Sequence, residues 1–166
     1  MRLRSASVLI AAALALLQLA APHAVLAQNE ILLNDDRVDR NQWNPHAALG
    51  ATGAIVVVWM DGRNGTSNFI DYDTYVMTLR DPLGLGSTVN RRLNDDAPGA
   101  IQSAPHIASS PSGTFFCAWE DVRGGNRDIY GAALDSLGVS ITPNLRLNDD
   151  AGSNDQTTPW LYGIWR

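Results

Sequence analysis

Trp, Asp and Arg recur at alternate positions in this chain, as Trp59, Asp61 and Arg63 and again as Trp119, Asp121 and Arg123. An extended backbone puts residues i, i+2 and i+4 on one side, so each trio shares a face. The spacing predicts that Arg63 or Arg123 reaches across a hairpin to Asp73 or Asp128 in a bidentate bond, its plane stacked on the Trp. Two chemistries fit. One Arg and two carboxylates can grip an anionic sugar, or the same groups can hold a fold together. Their duplication at equivalent positions favours the second, because repeat architectures write their structural contacts once per unit. Trp59, Asp61, Arg63, Asp73, Trp119, Asp121, Arg123 and Asp128 are therefore expected to be structural pins rather than catalytic groups.

A second set of oxygen-rich positions lies in Asn-Asp-Asp runs, which supply Asp35 and Asp36, Asp95 and Asp96, and Asp149 and Asp150. Such loops can hold Ca²⁺. Adjacent Asp at strand ends more often form turns and cap backbone N–H groups, and this is the favoured reading. Asp61-Gly62-Arg63-Asn64-Gly65 is no EF-hand loop, since Arg63 stands where an oxygen is needed. His46 and His106 follow Pro45 and Pro105, but the third equivalent is Trp160. They read as hydrogen-bonded core or channel-lining residues rather than metal ligands. Cys117 lies in an apolar run and reads as a small core residue. No cofactor is implied. No nucleophile elbow or Cys/His pair is present, and with Glu30 and Glu120 as the only glutamates no opposed carboxylate pair suggests itself for glycoside hydrolysis.

The elements that position these groups follow from repetition. Leu33-Asn34-Asp35-Asp36 returns 60 residues later as Leu93-Asn94-Asp95-Asp96, and 54 residues after that as Leu147-Asn148-Asp149-Asp150. Gln42, Gln102 and Gln156 follow at a fixed distance, as do Pro45, Pro105 and Pro159. Within the second copy, Pro105 to Ser109 reads as a short extended piece and Pro111-Ser112-Gly113 as a turn. Thr114 to Trp119 reads as a strand, Asp128 to Leu134 as the next, Asp135 to Gly138 as a tight turn, and Val139 to Leu147 as a last extended segment. About four strands in some fifty residues is the size of one propeller blade. Ala54 to Trp59 is apolar on both faces, which requires cover on both, as when sheets stack. The expected fold is all-β: tandem four-stranded antiparallel blade-like repeats, about two blades of a partial β-propeller plus a fragment.

Trp119-x-Asp121-x-Arg123-Gly124, Asp128-Ile129-Tyr130 and Asp135-x-x-Gly138 together resemble the blade repeats of secreted bacterial propellers of the TolB type, and Ser110-Pro111-Ser112-Gly113 fits the turn before their inner strand. The pattern is also similar to sialidase-like exported repeat proteins. The period is longer than in TolB-type blades, and Asp135-Ser136-Leu137-Gly138 lacks the spacing of the sialidase Asp-box. The resemblance implies a fold and no activity.

The chain opens with Arg2 and Arg4, an apolar run from Val8 to Leu19, and small residues ending at Ala27. These are the parts of a secretory signal peptide, too short in its apolar core to span a membrane, so residues 1–27 are expected to be removed and the rest to be secreted or periplasmic. The chain carries 12 basic residues, all Arg, and 17 acidic ones. Loss of Arg2 and Arg4 leaves a net charge of −7, unsuited to nucleic acid or to an anionic membrane surface. A single Cys excludes an internal disulfide. The expected organisation is a signal peptide at 1–27, a first repeat at 28–92, a second at 93–146 and a truncated third at 147–166. Two blades and a fragment do not close a ring, so the sequence reads as a piece of a longer protein, or as a chain whose copies complete the ring. The leading functional reading is a non-catalytic exported module that binds a glycan or a cell-surface protein; the alternative is part of a sialidase-like or other propeller hydrolase.

Overall fold

The computed structural model describes residues 32–36, 40–65, 71–80, 88–150 and 152–163. The expected signal peptide and the extra loop near residues 66–70 lie outside them. The described chain forms eight strands and no helix: β1 (Gln42–Leu49), β2 (Ile55–Asp61), β3 (Asp73–Leu79), β4 (Arg91–Arg92), β5 (Gln102–Ser109), β6 (Phe115–Asp121), β7 (Asp128–Leu134) and β8 (Leu145–Arg146). They make two four-stranded antiparallel sheets, β1-β2-β3-β4 and β5-β6-β7-β8, each a plain meander. The expected all-β class and antiparallel four-strand count are thus met. Each sheet is open: β4 and β8 are two-residue strands that leave little edge to pair, while β1 and β5 at the other side run for eight residues.

Local sequence explains each turn. In the β5–β6 hairpin, Pro111 presets one turn residue and Gly113 takes a φ of 86°. The Gly113 N–H then donates to Ser110 O at 3.1 Å and the Ser110 N–H to Thr114 O at 2.8 Å. Asp135 closes the next turn itself, its Oδ1 accepting from the N–H groups of Leu137 and Val139 at 2.8 and 2.9 Å. Residues 139–147 are less regular than the sequence suggests: only Leu145–Arg146 is strand, preceded by a bridge from Ser140 to Leu134. Pro143 has no N–H to give a ladder there, and Thr142 Oγ1 accepts the Ala133 N–H in place of a carbonyl. The first strand of each repeat starts earlier than expected, at Gln42 and Gln102, because a bulge interrupts it. Asn44, Ala104 and Thr158, each just before a Pro, share a left-handed φ of 49°, 47° and 58°. The third copy therefore begins along the same path as the other two.

The doubly apolar β2 is covered as its composition requires. Val56, Val58 and Val76 pack on Ile107, Phe115, Cys117, Trp119, Ala132 and Leu134 of the second sheet. Val57, Trp59, Tyr75 and Met77 form a cluster on the opposite face, joined by Leu33. Burying each such aliphatic side chain stabilises by about 1.5–3 kcal/mol, so the joint between sheets is the core of the fold. The β7–β8 turn also crosses that joint. A Cβ on Gly138 would lie 2.6 Å from Thr78 Oγ1, and Leu137 O accepts from Arg91 Nη2 at 2.9 Å.

Candidate functional site

The strand ends bring the Trp-x-Asp-x-Arg trio together in both sheets. Register pairs Asp61 with Asp73 and Asp121 with Asp128, so two buried carboxylates face each other at each site. Like charges so placed repel unless each is neutralised by its own donors. Asp61 Oδ2 accepts from Trp59 Nε1 at 2.8 Å and from Arg63 Nη2 at 2.7 Å, while its Oδ1 takes the Arg63 N–H at 2.9 Å. Asp121 repeats this with Trp119 at 3.0 Å, Arg123 Nη2 at 2.8 Å and the Arg123 N–H at 2.9 Å.

The expected partner of the Arg is corrected. Instead of Asp73 or Asp128, each guanidinium takes Asp61 or Asp121 on its own strand end and reaches back 28 residues to Asp35 or Asp95. Its plane covers Tyr75 or Tyr130 at 4.3 Å from the ring centroid, not the Trp. The physical reason is that the Trp indole N–H is spent on the same Asp, which turns the ring edge toward the carboxylate and leaves the neighbouring Tyr face for the cation. Burial works against the charge on Arg63, but Asp61 and Asp35 more than offset it and hold its pKa above the ordinary value; Arg123 is held the same way by Asp121 and Asp95. Burial acts to raise Asp35 and Asp95, yet the hydrogen bonds from Arg63 and Arg123 lower both below the usual carboxylate value.

Asp73 and Asp128 belong instead to a second cluster. Asp73 Oδ1 accepts from Asn94 Nδ2 at 2.6 Å and its Oδ2 from Asn64 Nδ2 at 2.7 Å. Asp128 Oδ1 accepts from Asn148 Nδ2 and from Arg146 Nη2, both at 2.8 Å. Asn94 also bonds to Asp96 and Gln102, and Gln102 Nε2 returns to Asp96 Oδ2 at 3.1 Å. Asn148, Asp150 and Gln156 form the same ring, and Asn34, Asp36 and Gln42 share its Gln bonds. The Asn-Asp-Asp run is thus a clasp closed by the Gln eight residues on from the Asn. Of the candidate Ca²⁺ ligands, Asp36, Asp96 and Asp150 have oxygens taken by amides, Asp35 and Asp95 hold Arg, and Asp149 is exposed. Among the described residues no three His, Cys, Asp or Glu side chains gather as a metal site.

Several residues in these clusters are not singled out by the sequence motifs. Asn90 and Asn144 exchange two bonds with Asp35 and Asp95: the Asp N–H donates to the Asn side chain at 2.8 Å in each copy, and the Asn N–H donates back. They lie 54 residues apart, the same offset as Leu93 and Leu147, so the signal was present in the repeat. Glu120 replaces Met60 and is nearly buried, accepting from Ser103 Oγ and from the Thr158 N–H, both at 2.8 Å. Cys117 is fully buried, and burial pushes its thiol pKa up, as suits a core residue.

His46 and His106 come together. Their ring centroids lie 3.5 Å apart, and Trp160 continues the stack at 4.7 Å from His106. His46 Nδ1 accepts from the Ile107 N–H at 3.2 Å, and His106 Nδ1 from the Leu161 N–H at 3.1 Å. The carboxylates and amides of the pins and clasps are bound mainly to one another, while the Nε atoms of Arg63 and Arg123 are buried without a partner. Comparison of the chain with protein-family models, with curated proteins and with solved structures finds no match.

Proposed function

We propose that the chain is an exported, non-catalytic repeat module whose sheets stack as blades of a propeller-like array, presenting loops at one end to a glycan or protein outside the cell. What supports this most is that the charged side chains of the motif are consumed, in matching geometry, by contacts within and between repeats. A catalytic site needs groups whose protons and lone pairs are free to change partners, and a scaffold needs the reverse. The third copy supports continued stacking, since Thr158 repeats the left-handed φ of Asn44 and Ala104 before its Pro, and Trp160 packs on His106 as His106 packs on His46. Closed propellers hold about 4–8 such units, so further units, in this chain or in associated copies, would complete the arrangement.

Insertion of a second copy of residues 93–146 directly after Arg146 tests the reading. In a stacked array each added unit gains a neighbour interface, so unfolding stays a single transition and Tm rises by about 5 °C or more. A separate lower transition for the insert, or an unmoved Tm, overturns the stacking. Turnover of fluorogenic sialosides or other glycosides by the intact chain overturns the non-catalytic part.

A further inference from the structure

The first strand of each repeat is an edge strand, and an edge leaves main-chain N–H groups without a ladder partner. At the joint between repeats one such group on β5, the Ile107 N–H, is capped by a side chain of the preceding repeat, His46 Nδ1. The next joint repeats the device with His106 Nδ1 and the Leu161 N–H. A ring nitrogen accepts only when it carries no proton, so each imidazole here is neutral with its hydrogen on Nε2. The two rings also stack at 3.5 Å, a distance at which two imidazolium charges repel strongly.

We propose that His46 and His106 form an acid-sensitive joint: one proton on Nδ1 turns the acceptor into a donor, breaks the link to Ile107 or Leu161, and loosens one repeat from the next. Among the described residues, no carboxylate forms an ion pair with either ring. The strand neighbours of the two His are Val58 and Ala118. The charged groups on the packed elements are engaged elsewhere: Asp61 and Asp121 by Arg63 and Arg123, and Glu120 by Ser103, Thr158 and Arg127. Burial lowers the pKa of His46, and burial together with the charge of His46 lowers that of His106. A His pKa lower in the folded than in the unfolded state means that the unfolded chain binds more protons. The contribution is whole above the unfolded value, about 6.5, and is lost as pH falls from there through the folded values.

Amide hydrogen exchange on the full chain, with protection factors corrected for intrinsic rates, tests the joint at pH 7.5 and pH 5.0. Protection at Ile107 and Leu161 is expected to fall at least about fivefold at the lower pH, with amides in the middle of β2 and β6 changing less. His46→Asn with His106→Asn keeps an acceptor oxygen near each Nδ1 but does not titrate, and should flatten the response. Equal protection at both pH values in the natural chain overturns the joint, as does an unchanged pH response in the double variant. Imidazole ¹⁵N shifts provide a readout that needs no variant: at pH 7.5 both rings should carry the proton on Nε2, and a proton on Nδ1 of either overturns the proposal.

Discussion

Arg123 stands over Tyr130, guanidinium carbon to ring centre 4.3 Å, and Arg63 stands over Tyr75 at the same distance. The coincidence shows what the repeat preserves. An aromatic face, a buried carboxylate on the Arg's own strand end and a half-exposed carboxylate from the preceding segment fix the cation from three sides.

Removing that cation should cost stability. Arg123→Ala leaves Asp121 buried with two donors instead of three and uncovers Tyr130, so unfolding in urea should show a loss of about 1–3 kcal/mol. Arg123→Lys should recover less than half of this, because one ammonium cannot span Asp121 and Asp95 or lie flat on the ring. A loss below about 0.5 kcal/mol for the Ala variant would show that the pin holds nothing.

Asn94 sits at the centre of the clasp, its side-chain amide facing Asp73, Asp96 and Gln102. Asn94→Asp replaces the donor by a third carboxylate and should destabilise by about 2–4 kcal/mol, more than Asn94→Ala. The difference between the two variants should shrink below about pH 4, where carboxylates gain protons. Equal losses at pH 7 would count against the clasp.

Two glycines should respond differently to Ala. A Cβ on Gly131 would lie 2.9 Å from Cys117 O and 2.8 Å from the Phe116 ring, against main chain that cannot yield. A Cβ on Gly113 meets nothing within 4 Å, so only its positive φ resists, at about 1 kcal/mol. Thermal melts should therefore rank Gly131→Ala well below Gly113→Ala.

Acid should act in a second window besides that of the histidines. Asp35 and Asp95 are lowered from 3.8, and a folded value beneath the unfolded one gives stability present above about pH 4 and lost as pH falls through the folded value. Asp35→Asn with Asp95→Asn should weaken the chain at pH 7 and flatten its melting profile below pH 4. An unchanged profile would show that the Arg bonds are not felt in solution.

Calcium should do little. With the oxygens of Asp36, Asp96 and Asp150 accepting from amides, millimolar Ca²⁺ should move Tm by less than about 1 °C. A shift of several degrees would mean that the clasps open to take the ion.

Much of the fold was legible in the residues. β7 occupies Asp128–Leu134 as its composition suggests, and the two-sided dryness of β2 correctly demanded cover on both faces. The grouping of Trp59, Asp61 and Arg63 followed from their alternation alone. The partners of Arg63 and Arg123 did not, because Asp35 and Asp95 arrive from 28 residues upstream and only the packing of a preceding segment brings them close. The Asn and Gln of the clasps recur as faithfully as the Asp, but neutral amides carry no charge by which a reader would pair them. The bulge was illegible for a simpler reason. Asn44, Ala104 and Thr158 share no side-chain chemistry; what they have in common is a left-handed φ and the Pro that follows each.

The main-chain links between repeats run both ways: Thr74, Ile129 and Arg127 donate their N–H groups forward to Asn94, Asn148 and Asp155, while others donate back. Gln102 and Ile107 donate back to Tyr72 O and His46, and Gln156 and Leu161 donate back to Arg127 O and His106. In these four links the acceptor stands earlier in the chain than its donor. Each joint is therefore stitched from both sides, with donors and acceptors contributed by the earlier repeat and by the later one. A unit deprived of its successor would leave both N–H groups and carbonyls open on the same side, so an orphaned repeat is unfinished in two senses at once.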